Sequence, residues 1–258
     1  MTLLTPDDPP AFRIENPDGA APILFVSDHD SNAVPSGLAR LGLPDEELGR
    51  HIGHDIGIAR IGRRLAARFD APLIATGYSR LVVDCNRHKF TPGSIPAIAD
   101  GTEVPGNSDL DDDAKRARYD ALFEPYHAAV AAHLDRVTAA GAPPLLVALH
   151  SFTPRLRTGG GDRPWHIGFL WGDDERATAP MIELFRRRNP DAVVGANQPY
   201  SGASPEGYTV PVHAGRRGLH SLTLEFRQDL IADPAGGDDW ARRFGDALAE
   251  LLDRGLSA

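Results

Sequence analysis

The chain has 258 residues, of which 41% are hydrophobic and 24% charged, with no compositional break, so residues 1–258 read as one globular domain. A net charge of -9 and a pI near 5.5 exclude a general nucleic-acid or anionic-membrane binder, whose partner would be repelled at long range. The single cysteine, Cys85, excludes an internal disulfide and a thiolate-rich zinc knuckle, which leaves His, carboxylate or amide ligands for any metal. With no signal-peptide pattern and no apolar run of about 18 residues, the expected compartment is the cytoplasm and the expected partner a small molecule.

Residues 1–20, with four prolines, predict an extended lead-in to a first strand, Ile23-Leu24-Phe25-Val26-Ser27, whose exit is Asp28-His29-Asp30. Pro44 and the acids behind it open a helix predicted over residues 47–69, with Ile52, Ile56, Ile61 and Leu65 inward and Arg60, Arg63, Arg64 and Arg68 on a solvated face. A short strand at residues 73–75 is followed by a second, Leu81-Val82-Val83, ending in Asp84-Cys85-Asn86-Arg87. Residues 88–113 are rich in Pro, Gly and Asp without periodicity, the pattern of a lid or binding loop. A helix over residues 111–139 carries the stripe Tyr119, Leu122, Tyr126, Val130 and Leu134.

After Gly141-Ala142-Pro143-Pro144, the apolar run from Leu145 to Leu149 predicts a central parallel strand with His150 and Ser151 at its C-terminal end. A loop with Gly159-Gly160-Gly161 lacks the Lys-Ser/Thr of a phosphate cradle and reads as a flexible tip. A strand at 166–171, a helix at 179–188, a strand at 192–195 and a turn-rich loop at 197–202 follow. The last strand, Leu222-Thr223-Leu224, ends in Glu225, and a helix over 239–254 closes the chain. The alternation predicts an α/β fold with a mostly parallel sheet, whose strand exits bring His29, Asn86-Arg87, His150 and Glu225 to one rim.

Two neutral imidazoles and one oxygen ligand make an open zinc site of the hydrolase kind. Asp55 can supply that oxygen, or it can be an acid favoured by the start of the predicted helix, where His51 would share its face. Asn86-Arg87 offers an amide and a planar fork suited to a carboxylate. Glu225, between Leu224 and Phe226, suits a general base, or else pairs with Arg80 or Arg227. The chain has no Gly-x-Ser-x-Gly, His-Glu-x-x-His or dinucleotide-binding glycine pattern, so Ser151 is a weak nucleophile.

Taken together, residues 28–35, His54-Asp55-Ile56-Gly57, residues 78–87, His150-Ser151-Phe152-Thr153-Pro154, residues 197–201 and residues 225–229 resemble the N-formylglutamate amidohydrolase family over roughly residues 23–250. The resemblance implies a three-layer α/β/α fold with a mostly parallel, mixed central sheet, phosphorylase/hydrolase-like and related to the zinc carboxypeptidases. It implies zinc-dependent cleavage of an N-formyl or other N-acyl group from an amino acid such as N-formylglutamate. Residue by residue, it makes His29 and His150 metal ligands, Asn86-Arg87 the carboxylate-binding pair and Glu225 the catalytic glutamate. Carboxypeptidase-like enzymes carry a ligand Glu three positions after the first His, where this chain has Asn32, and Asp55 is preferred as third ligand because a carboxylate binds zinc better than an amide. Ser79-Arg80 and His213 look like pocket positions of the family, Arg80 for a side-chain carboxylate, and Ser151 beside His150 is expected to contact substrate. The alternatives are a non-catalytic binder of acidic metabolites and a deacylase or peptidase acting on another amide, such as a cell-wall peptide.

Overall fold

The computed structural model describes residues 3–141 and 143–255, so Ala142 in the lead to the central strand lies outside the described residues. The strands are β1 (Phe12–Glu15), β2 (Ile23–Ser27), β3 (Leu73–Thr76), β4 (Ile98–Ala99), β5 (Thr102–Glu103), β6 (Leu145–Phe152), β7 (Ile167–Leu170), β8 (Val194–Ala196) and β9 (Ser221–Arg227). The helices are α1 (Asp45–Leu48), α2 (Ile58–Phe69), α3 (Asp112–Arg118), α4 (Glu124–Ala139), α5 (Thr178–Arg188), α6 (Thr209–His213) and α7 (Pro234–Arg254).

Seven strands form one mixed sheet in the order β1-β3-β2-β6-β9-β7-β8. The inner four, β3, β2, β6 and β9, are parallel, while β1 and the β7-β8 pair run the other way. Every residue of β2 and β6 is buried, because helices cover both faces. On one face Ile61 and Leu65 of α2, Phe185 of α5 and Phe244 and Leu248 of α7 pack with Phe25, Val147, Leu149, Leu224 and Phe226. On the other, Tyr126, Val130 and Leu134 of α4 pack with Leu24, Val26, Ile74, Leu146 and Ala148. The fold is therefore three layers, α/β/α. Each buried Leu or Phe contributes roughly 1.5–3 kcal/mol, so the strands whose exits carry polar residues are held from both sides.

The arginines of α2 do face outward, and they bridge elements: Arg60 and Arg64 reach Asp238 and Arg68 reaches Asp246 on α7, and Arg63 reaches Glu15 on β1. The helix expected over residues 111–139 is present as α3 and α4 joined by one π-helical turn, Tyr119–Phe123, and its predicted stripe is buried.

Three expectations are corrected. Leu81-Val82-Val83 is not a strand. Its backbone finds side-chain partners instead: Asn107 donates to the Leu81 carbonyl, Arg118 to the Val82 carbonyl, and the Leu81 N–H goes to Ser79 Oγ. The helix predicted from residue 47 stops at Leu48 and restarts only at Ile58. Gly57 has φ +84°, and a Cβ at Gly53 would lie 2.1 Å from the Leu48 carbonyl oxygen, so the intervening residues turn rather than spiral. Finally, the N-terminal lead-in contains β1, an edge strand too short and too exposed to show alternation.

Candidate active site

β2 and β6 are adjacent and parallel, so Asp28-His29 and His150-Ser151 leave the sheet side by side. Asp55 joins them from the turn before α2: its N–H donates to the His29 carbonyl at 2.9 Å, while Ser151 N–H donates to Asp55 Oδ2 at 3.1 Å and Ser151 Oγ to the Ile56 carbonyl at 2.9 Å. Ser151 thus pins this turn to β6. The His29 and His150 Nδ1 atoms lie 3.4 and 3.1 Å from Asp55 Oδ2. Nitrogens and carboxylate converge with every pair of candidate ligand atoms within 4.8 Å, a spacing one metal ion can bridge.

The outward nitrogens have their own partners. His29 Nε2 is 2.8 Å from Asp84 Oδ1, and His150 Nε2 is 3.4 Å from Asp28 Oδ2. The Asp84 contact fixes which nitrogen of His29 keeps its proton and turns the other lone pair inward, while Asp28 Oδ2 faces His150 Nε2 across a longer gap with no hydrogen bond of its own. Asp28 accepts hydrogen bonds from Tyr126 and Thr209, both at 2.8 Å, and Asp84 accepts from Arg80 Nε and Nη2 at 3.0 and 2.7 Å. Burial disfavours charge on both imidazoles, yet the surrounding carboxylates win and raise both pKa values, His150 most. Burial likewise works against Asp28, but His150 beside it holds its carboxyl at about 2. Asp84 is held well below the usual range, because Arg80 and His29 outweigh its burial.

Glu225 occupies the position on β9 directly opposite His150 on β6. It is 7% exposed, and its Oε2 has no hydrogen-bond partner. Burial pushes its carboxyl up from the ordinary range, against the pull of His150. It forms no ion pair with Arg227, which is bound to Asp229.

These groups open into a cavity of about 1270 Å³ that also exposes Arg80, Asn86 and Arg87. Arg80 has its guanidinium turned to Asp84 and, at 3.4 Å, to Asp55, so it braces the site's carboxylates more than it offers a free fork. Arg87 has no carboxylate partner among the described residues and donates only to the Asn86 carbonyl. Asn86 Oδ1 accepts from the Tyr208 and Thr209 N–H groups at the start of α6, which leaves its amide NH₂ for a ligand.

Three residues weighed from the sequence lie outside this cavity. Asn32 is exposed and has no place in it. His213 is buried against His127, with His127 Nδ1 to His213 Nε2 at 2.9 Å and the rings stacked 5.1 Å apart; α6 turns it inward, away from the lining. His51 does not accompany Asp55 either but lies 3.3 Å from Asp100, because the segment between them is not helical. Sequence reasoning missed Asp28 and Asp84 as imidazole partners. The signal was present in the acids at two strand-like exits, one of them adjacent to His29.

A mixed sheet between two helical layers, with imidazoles, carboxylates and a buried glutamate at adjacent strand exits, defines an α/β/α hydrolase. The chain belongs to the N-formylglutamate amidohydrolase family, whose sequence profile matches residues 21–232, and it is an amidohydrolase. It is similar to gene product Atu2144 from Agrobacterium tumefaciens, with 30% identity over 98% of each chain and a TM-score of 0.93. It shares its fold with N-formylglutamate amidohydrolase from Ralstonia eutropha JMP134, at 21% identity over 95% of this chain and 98% of that one, with a TM-score of 0.68. No curated protein matches the chain. Among the described residues no helix is long and apolar enough to cross a membrane.

Proposed function

We propose that this protein is a zinc-dependent amidohydrolase that removes an N-formyl or other N-acyl group from an amino acid such as N-formylglutamate. The observation that carries the reading is the convergence of His29 Nδ1, His150 Nδ1 and the Asp55 carboxylate beside Glu225, whose Oε2 is buried without a partner. That donor set fits zinc: two imidazoles, each backed by a carboxylate, and one oxygen ligand, with room on the cavity side. An unpartnered buried carboxylate oxygen costs about 1–3 kcal/mol or more, a cost a simple metabolite binder has no reason to carry.

His29, His150 and Asp55 would hold the ion, which when bound supplies Lewis-acid activation of the scissile carbonyl. Glu225 takes the proton of the attacking water and returns it to the amine nitrogen as the C–N bond breaks. Arg87, with the Asn86 amide, holds the substrate carboxylate, and its planar fork fixes the amide over the site. Arg80 keeps Asp84 ionised and braces Asp55 at 3.4 Å, and Ser151 keeps Asp55 between the two imidazoles. The substrate is a small molecule, and the reaction needs no nucleic acid or membrane.

The test is metal content together with a screen of N-acyl amino acids. About one zinc per chain, lost in the His29→Ala, His150→Ala double variant, and hydrolysis of at least one N-acyl amino acid are expected. Full zinc occupancy in the double variant would overturn the ligand assignment.

A further inference from the structure

The cavity is much larger than a formyl group and one amino acid require, and its floor is a strand. On β9, Leu222, Leu224 and Phe226 point into the core, which leaves Ser221, Thr223 and Glu225 on the opposite face, where all three line the cavity. From Glu225 to Ser221 is four strand steps, roughly 13 Å. An N-formyl amino acid reaches about half that length, roughly two residues of extended chain at 3.3–3.6 Å each. Beyond Ser221 the cavity is also lined by Gly215, Arg216, Gly218 and Leu219.

The chemistry of this arm of the cavity, along β9, is that of a peptide rather than a hydrocarbon. Neither the Ser221 nor the Thr223 hydroxyl has a hydrogen-bond partner among the described residues, and both are only half-buried. They stand two residues apart on one strand face, a repeat of roughly 6.8 Å, which is also the repeat of alternate residues in an extended peptide. Residues Tyr200 to Gly207 line the same cavity.

Resting on the reading above, with Arg87 holding the carboxylate of the leaving amino acid, we infer that the arm along β9 takes the acyl half of the substrate. That half is a short peptide-like chain of about two residues rather than a formyl group. Hydrolysis of such a substrate breaks the amide C–N bond, places the water oxygen on the acyl carbon and delivers a proton to the amine of the released amino acid. A chain extended on the other side would convert the free carboxylate into an amide and forfeit the Arg87 contact.

The experiment compares zinc-loaded wild type and Ser221→Phe on N-formyl-Glu, N-acetyl-Glu, N-acetyl-Ala-Ala-Glu and N-formyl-Glu-Ala-Ala. It also measures binding of a non-cleavable N-acetyl-Ala-Ala-Glu analogue to the metal-free proteins by calorimetry. Ser221 lies outside the machinery assigned above, and Phe is a good strand former. The expected result is a kcat/KM at least about tenfold higher for N-acetyl-Ala-Ala-Glu than for N-formyl-Glu, as filling an empty subsite gives. In Ser221→Phe that advantage and the calorimetric binding should disappear while N-formyl-Glu hydrolysis is unchanged. Equal rates across the acyl series, a preference for N-formyl-Glu-Ala-Ala, or equal losses on short and long substrates would overturn the inference. If no substrate is cleaved, the amidohydrolase reading of this site fails. The calorimetric comparison then still decides for or against the arm.

Discussion

His150 and Glu225 face each other across the parallel β6-β9 pairing, on the same side of the sheet, at the last turns of backbone before both strands leave it. One side chain is a candidate ligand and the other a buried acid with a free oxygen. Their separation is therefore fixed by main-chain hydrogen bonds, and neither depends on a loop to reach the other.

Glu225→Gln keeps the shape of the side chain and removes its ability to accept a proton. Zinc content should be unchanged while kcat falls by roughly two to four orders of magnitude. Zinc analysis and steady-state kinetics on the same sample decide it: joint loss of metal would make Glu225 a ligand, and a near-normal kcat would leave it a structural acid.

Asp84 should matter through His29. Asp84→Asn removes the charge behind Nε2 and loosens Arg80, so zinc affinity should drop about 10–100-fold, read by competition with a chelator. Circular dichroism confirms that the variant folds. An unchanged affinity would mean that the 2.8 Å contact does not tune the imidazole.

Arg87→Ala should raise KM by about ten- to a hundredfold, the loss of one charge-assisted hydrogen-bonded contact, with a smaller effect on kcat if the contact is equally strong in ground and transition states. Arg87→Lys should recover only part of this, since a point charge cannot form two parallel bonds. Equal hydrolysis of a substrate whose α-carboxylate is replaced by an amide would remove Arg87 from this role.

His213 makes stability pH-dependent away from the site. Burial, then His127 and Arg217 nearby, bring its pKa from 6.5 down to about 4, against the weaker opposing pull of Asp28 and Asp135. The unfolded chain therefore takes up a proton that the folded one refuses. This part of the stability is complete above pH 6.5, shrinks as pH falls through the interval, and is gone by about pH 4. The change is on the order of 3 kcal/mol. Urea unfolding between pH 7.5 and 4 should show the slope, reduced in His213→Gln. Identical slopes would assign it to other groups.

Much of this was legible beforehand, for reasons specific to each residue. Glu225 follows the alternating run Leu222-Thr223-Leu224, fully buried on one face only, whereas His150 ends a long apolar run, where burial on both faces fixes strand and exit together. His29 follows the same rule. Asp55 is legible as a ligand candidate from its carboxylate chemistry, but the helix expected to carry it with His51 is absent, and it stands instead on a glycine-broken turn stitched to His29 and Ser151. The Leu81–Val83 strand was misread because periodicity records burial and cannot see that side chains from Asn107 and Arg118 satisfy its carbonyls. His213 carried no signal separating a cavity wall from a ring stacked behind it, a distinction set only by the orientation of α6.

The groups at the rim are scattered along the chain at positions 29, 55, 84, 150 and 225, and this sets an order during synthesis. His29, Asp55, Asp84 and His150 can meet once β6 pairs with β2, while the residues of β9 are still being added. Glu225 arrives later, when β9 docks along β6. A nascent chain would thus bring its candidate ligand side chains together first and the buried acid opposite them last.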